Sequence, residues 1–344
     1  MNKFITIIIS LCLLFSILTG GVSEKPPAAE TGREITIIDY TGRYVEVPAP
    51  VERIVSLNSG MSTLICAFGD GDKIVGRDER SSFPSSLKDV FVVGGSAHSP
   101  NIELILEKRP DVVVSDQMLK DDMREKLEAA GIPVLIDSTS NTDRIIPAIK
   151  NFGLLLDKKE KADEITSFIE HYCSIVARRI AELEPGEEPL VFFQWQSLYK
   201  SASGKTVFHK PMVAAGGINI AASEPVLYPK LSAEWVLQKN PDVIVYRISG
   251  DETPGEMKEL RQEIMSQPGL EDVNAVKNGR VHITKADAFL TLRYPVGLLY
   301  YARWFHPDLF NDIDPAAVHQ ELIEKFFGPE EWQKLNETFA FPEP

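Results

Sequence analysis

Short apolar runs alternate along most of the chain with longer stretches in which apolar residues recur every three to four positions, the pattern of an α/β protein. In the first half, residues 54–58 (IVSLN), 73–78 (KIVGRD), 111–116 (DVVVSD) and 133–137 (PVLID) read as strands. Helical segments separate them, among them Ser62–Phe68 and Asp121–Ala130, the second stopped by Gly131. In the second half the strands are residues 190–195 (LVFFQW), 242–248 (DVIVYRI) and 280–284 (RVHIT). Apolar strands joined through helices imply parallel sheets with right-handed crossovers.

One motif occurs twice. Residues 101–114 (NIELILEKRPDVVV) align without a gap on residues 232–245 (SAEWVLQKNPDVIV), with seven identities in fourteen positions. Glu103 falls on Glu234, Leu106 on Leu237, Lys108 on Lys239 and Pro110-Asp111 on Pro241-Asp242. In each copy a helix is ended by Pro, and Asp leads into a β-branched strand. Each copy sits about a third of the way into its own half, so the chain reads as two duplicated lobes. Between them, residues 158–183 place Ala162, Ile165, Phe168, Ile169, Tyr172, Ile175, Val176, Ile180 and Leu183 on one face of a helix. It is roughly 36 Å long, enough to pass from one lobe to the other. The expected division is a leader and linker over 1–31, an N-terminal lobe over 32–157, a connecting helix over 158–184, and a C-terminal lobe with a helical tail over 185–344.

Length agrees with this, since 344 residues are too many for one typical domain. Hydrophobic residues make up 44% and charged residues 25%, as in ordinary soluble proteins. A net charge of −14 argues against nucleic acid as a partner, because a phosphate backbone needs a basic face. Lys3, the apolar run Phe4–Leu18 and Thr19-Gly20-Gly21 follow the order of a secretory signal peptide. The run is shorter than the ~20 residues that span a bilayer comfortably, and cleavage and retention as an anchor both stay open. Leu18-Thr19-Gly20 resembles the approach to a lipidated cysteine, yet position 21 is Gly. Three cysteines (Cys12, Cys66, Cys173) make no disulfide framework; a Cys66–Cys173 bridge stays open beside the preferred reading of two buried thiols.

Catalytic and metal motifs fail at specific positions. Ser203-Gly204-Lys205-Thr206 resembles the end of a phosphate loop, but Tyr199 stands where its first glycine belongs. No G-x-S-x-G elbow is present, and the six histidines lack paired zinc spacing. Asp70-Gly71-Asp72 lacks the remaining oxygen ligands of a calcium loop and reads as a turn. Asn336-Glu337-Thr338 forms a glycosylation triplet.

The repeat, the long helix and the segments 51–78, 94–114, 214–221, 231–245 and 300–310, in that order and spacing, resemble the helical-backbone class of solute-binding proteins of ABC importers, the group that captures cobalamin, ferric siderophores and haem. The resemblance spans about residues 35–327. It implies two Rossmann-like lobes with ligand between them, delivery to a permease dimer with its ATPase subunits, and a monomeric protein outside the cytoplasmic membrane. It also implies that one surface glutamate per lobe, here Glu103 and Glu234, docks on arginines of the permease. No catalytic residue, resident cofactor or resident metal is expected, the bound ligand being an iron or cobalt chelate.

Ligands of open parallel sheets sit beyond the carboxyl ends of the strands. Those ends carry Ser59, Met61, Arg77 and Arg80 in the first lobe and Trp195, Tyr199, Arg247, Arg293 and Tyr294 in the second. Aromatic planes beside guanidinium groups suit a flat or carboxylate-bearing chelate. Trp195 also reads as core, and Arg77 and Arg80 as surface ion pairs. A bare metal ion, which needs converging His and acidic side chains, and the substrate of an exported α/β enzyme are the alternative ligands.

Overall fold

The structure is a computed structural model that describes residues 33–250, 252–289, 291–335 and 340–342. The expected leader, Cys12, Gly21 and the 336–338 triplet lie outside the described residues. The first lobe contains strands β1 (Arg33–Ile38), β2 (Tyr44–Ala49), β3 (Ile54–Ser56), β4 (Ile74–Asp78), β5 (Val92–Gly94), β6 (Val112–Ser115) and β7 (Val134–Ile136). Its helices are α1 (Ser59–Ala67), α2 (Ile102–Lys108), α3 (Asp121–Ala129) and α4 (Ile145–Leu155). The connecting helix is α5 (Lys159–Ile180).

Strands β8 (Leu190–Trp195), β9 (Ile218–Asn219), β10 (Val243–Ile248), β11 (Val281–Lys285) and β12 (Ala340–Phe341) form the second sheet. Around it are α6 (His209–Ala214), α7 (Ala233–Lys239), α8 (Pro254–Met265), α9 (Asn274–Lys277), α10 (Tyr294–Phe305), α11 (Pro315–Phe327) and α12 (Pro329–Lys334). No helix among the described residues is long and apolar enough to cross a membrane.

The first sheet runs β5-β4-β3-β6-β7, all parallel, and the second runs β9-β8-β10-β11-β12, parallel except for β12. Four strands correspond, β4-β3-β6-β7 with β9-β8-β10-β11, and each lobe adds one strand at the opposite edge. The repeat lies at the middle of both. Asn101 and Ser232 cap α2 and α7, their side chains accepting the N–H of Leu104 and Trp235. Both helices end on a left-handed residue with φ of 46°, Arg109 and Asn240. Asp111 then fastens β6 to the chain entering β3, its Oδ2 accepting the N–H groups of Glu52 and Arg53 at 2.8 Å. Asp242 does the same to β8 through the N–H of Leu190 at 3.0 Å. The Pro-Asp pair is thus a strand clip.

Core residues alternate between sheet faces, as a strand buried on both sides requires. Ile54, Val112 and Val114 face a cluster that continues through α5 (Ile165, Phe168, Val176) and α10 (Tyr301, Phe305) to Val191, Phe193, Val243 and Val245 of the second sheet. Val55 and Val113 face an outer cluster with Ile105 of α2, while Ile244 and Tyr246 face one with Val236 of α7. The lobes therefore share one inner core along α5, and the repeated helices cover the outer faces. Helix α5 has 22 residues, about 33 Å, and ends before Glu182-Leu183, which lie in the turn that follows it.

Two other local expectations shift. Helix α1 begins at Ser59, not Ser62, because Asn58 leaves the strand and caps it, accepting the Met61 N–H at 3.1 Å. A hairpin, β1–β2, precedes the first parallel strand and was not expected; Asp39 organises its turn through the N–H groups of Thr41 and Arg43. The helical tail returns to the first lobe. Glu331 of α12 accepts from the backbone and hydroxyl of Ser85, and Phe327 packs edge-on against Phe83, their centroids 5.0 Å apart.

Candidate ligand cleft

The switch points of the two sheets lie between β3 and β6 and between β8 and β10, and their carboxyl ends carry chemically different walls. In the first lobe the wall is polar. Asn58 donates to Asp116 at 2.7 Å and accepts from the Thr139 hydroxyl at 3.1 Å while capping α1. Burial pushes the Asp116 carboxyl above its ordinary value, against the opposing bonds from Met118 and Asn58. Asp78 is likewise raised by burial, although Ser81 donates to it.

In the second lobe the wall is aromatic and basic. Trp195 packs against Phe208 and Tyr228, with centroids 5.3 and 4.9 Å away, and Phe208 stacks on Phe193 at 5.2 Å. Arg247 lays its guanidinium over Phe208, 4.5 Å from the centroid, and donates to the Ala286 carbonyl at 3.3 Å. Its Nε is shut away from solvent and has no hydrogen-bond partner among the described residues. Burial pulls its pKa down from the ordinary arginine value. A buried guanidinium with unused donor capacity is a ready site for an anionic group.

Two recesses of about 30 Å³ each are lined from both lobes. One joins Ser140 and Thr142 to Val207, Phe208, Pro211, Arg247, Phe289 and Tyr301. The other joins Ser59, Gly60, Thr63, Arg80, Ser82 and Phe83 to Asp287, Thr291 and Arg293. The lobes also touch: the Thr291 N–H donates to the Thr139 carbonyl at 2.9 Å, and Arg293 lies 4.2 Å from the centroid of Phe83. Lys210 and Asp143 form an ion pair across the lobes. Gly60 sits at the contact, where a Cβ would come within 2.6 Å of Thr139 Oγ1 and 3.0 Å of Thr291 Oγ1.

Of the residues expected at the cleft, Ser59, Arg80, Arg247 and Arg293 line these recesses and Trp195 stands in the aromatic wall. Four need correction. Met61 is 0% exposed, because the earlier start of α1 turns its side chain into the inner core. Arg77 is buried and holds the loop above it, donating to the carbonyls of Leu87 (2.6 Å), Asp78 (3.0 Å), Glu79 (3.3 Å) and Lys88 (3.2 Å). Tyr199 has a positive φ of 63° and packs on the outer core of the second lobe beside Leu198 and Leu231. Tyr294 opens α10 and is buried in the inner core. Neither Arg77 nor Arg80 enters an ion pair among the described residues.

Phe289, in the loop expected at the strand ends, lines the first recess, and Phe208, Tyr228, Tyr301, Thr139 and Asp287 join the cleft without a signal in the sequence pattern. Phe208 and Tyr228 come from irregular segments with no periodicity to expose them. Cys66 and Cys173 are separate free thiols, both pushed up to about 12 mainly by burial. Among the described residues no three His, Cys, Asp or Glu side chains converge to hold a metal ion. Glu103 and Glu234 are exposed in the first turns of α2 and α7. Each of these helices connects two parallel strands, so it runs against them and its first turn points to the cleft side of the sheet.

Two α/β lobes about a shared helix, with a cleft at both switch points, define a two-lobed solute-binding protein. Residues 54–288 match the family described as periplasmic binding protein, and the chain belongs to that family. A cobalamin-binding protein of Halobacterium salinarum is 24% identical over 73% of this chain and 70% of its own length. An uncharacterized ABC transporter substrate-binding lipoprotein of Bacillus subtilis, YvrC, is 25% identical over 81% of this chain and 87% of its own. The crystal structure of the TroA-like periplasmic binding protein FepB from Veillonella parvula superposes with a TM-score of 0.72 at 25% identity, covering 86% of this chain and 96% of that one.

Proposed function

We propose that this chain is the extracytoplasmic substrate-binding component of an ABC importer and that its cargo is an iron or cobalt chelate bearing acidic substituents. The observation that carries the reading is Arg247, a buried guanidinium set in an aromatic wall at the switch point of the second sheet, with an Nε that has no partner among the described residues. Trp195, Phe208 and Tyr228 supply flat apolar area, Arg247 takes a carboxylate or similar group in its recess, and Arg80 and Arg293 serve the second recess. Recesses of this size suit substituents of a larger ligand lying across the cleft. Relatives that bind cobalamin and belong to ABC transporters support the class of cargo and of machinery. The core shared along α5 favours a small adjustment of the lobes on binding.

Glu103 and Glu234 are proposed to dock the loaded protein on the permease. Neither enters an ion pair among the described residues. The lysine of each repeat is drawn to an aromatic ring instead, Lys108 to Phe91 at 3.6 Å and Lys239 to Trp235 at 5.3 Å. Both carboxylates are thus left for a partner.

Titrating the purified chain with cyanocobalamin, ferric catecholate and hydroxamate siderophores and haem, while following tryptophan emission, tests the proposal. One of them should quench saturably with a Kd below about 1 µM, and Trp195→Phe should remove most of the signal. Saturation by none, with retention of a bare transition-metal ion through dialysis, would overturn it.

A further inference from the structure

The two docking helices share more than a glutamate. One turn after each lies a leucine, Leu106 and Leu237, 38% and 39% exposed. At i and i+3 the glutamate and leucine are neighbours on one helix face. The helix is anchored from the other side by the residue before the leucine, Ile105 or Val236, each 0% exposed. A single half-exposed leucine on a soluble protein needs no explanation. Two at equivalent places, equally exposed, each beside a carboxylate that enters no ion pair among the described residues, are a repeated surface. The outer cores and strand clips explain Ile105, Val236, Asp111 and Asp242; they give no role to the leucines.

We infer that each lobe presents a two-part knob, Glu103 with Leu106 and Glu234 with Leu237, made for a two-fold symmetric protein surface that offers in each half a cation next to an apolar socket. This rests on the docking reading above and deepens it. The two parts do different work. The carboxylates act at a distance and are weakened by salt, whereas the leucines act only in contact and are indifferent to it.

The test uses the full chain, loaded with chelate, and the permease–ATPase complex of the same importer in proteoliposomes. The readout is the concentration of binding protein that half-saturates ATP hydrolysis, measured at 50 and 300 mM salt. Leu106→Ala with Leu237→Ala keeps good helix formers in both helices, and its unfolding midpoint should match that of the unsubstituted chain. It should raise the half-saturating concentration about tenfold with the salt dependence intact, from losing the rest of each leucine's burial. Glu103→Ala with Glu234→Ala should raise it at low salt and flatten the salt dependence. An unchanged leucine variant beside an impaired glutamate variant would overturn the two-part knob and leave the docking reading standing. No change in either would overturn both. Concentration-dependent dimers of the chain that vanish in the leucine variant would assign these residues to self-association and overturn the inference as well.

Discussion

The two lobes are alike where they face outward and different where they face each other. Helices α2 and α7 repeat their caps, left-handed ends, exposed Glu and Leu, and Asp clips residue for residue. The cleft walls share nothing comparable, with Asn58, Thr139 and Asp116 on one side and Trp195, Phe208, Tyr228 and Arg247 on the other. Duplicated surfaces suit a partner built of two equivalent halves. An asymmetric small ligand places no such demand on the walls that hold it, so they are free to diverge. Under the proposed function, delivery falls to the outward helices and recognition to the cleft walls.

The largest effect is expected at the recognition wall. Arg247→Gln should weaken chelate binding about 100-fold, roughly 3 kcal/mol, because a charge-assisted contact in a buried recess is lost. The unfolding midpoint should not fall, since a buried guanidinium is removed with the substitution. Tight binding by the variant would assign recognition to another part of the cleft. Next, Gly60→Ala sets a methyl against Thr139 and Thr291 where the lobes meet. It should cost about 2 kcal/mol in denaturant unfolding. An unaltered midpoint would mean that the contact between the lobes yields freely.

Buried groups of the two lobes also titrate in opposite senses. In the second, His282 stacks on Trp304 and is held down at about 3, chiefly by burial and further by Arg261 and Arg280. Between its ordinary 6.5 and about 3 the unfolded chain carries this proton and the folded chain does not. The stability it contributes is full above pH 6.5 and is lost as the pH falls through that window. In the first lobe Asp78, Asp116 and Asp137 are raised by burial, so acidification favours their folded forms and works the other way. Unfolding followed against pH should therefore lose slope in His282→Gln, by at most about 1.4 kcal/mol per pH unit. Parallel profiles for the two proteins would contradict this. Hydrogen exchange below pH 6 should rise first around β11, and uniform protection of both lobes would count against the opposition.

What the sequence made legible was local. The Pro-Asp clips, the long helix and most central strands announce themselves through periodicity and terminators, and the repeat identified both outward glutamates before any contact was known. The β1–β2 hairpin is legible too, through the alternation of Ile35 and Ile37 with Val45 and Val47 about Thr41-Gly42. The cleft was harder for physical reasons. Met61 follows a strand end in the sequence, but with Asn58 as cap it falls inside the first turn of α1 and enters the inner core. Arg77 and Arg80, three residues apart, separate only because the loop at Leu87-Lys88 folds over the first and takes its donors. Phe208 and Tyr228 reach Trp195 from segments whose course depends on the assembled lobe.

The separation of delivery from recognition is tested most directly by calorimetric titration of the chelate into two variants side by side. The account predicts that Glu103→Ala with Glu234→Ala binds it with the Kd of the unsubstituted chain, while Arg247→Gln binds about 100-fold more weakly. Equal weakening in both, or weakening in the glutamate variant alone, would contradict it.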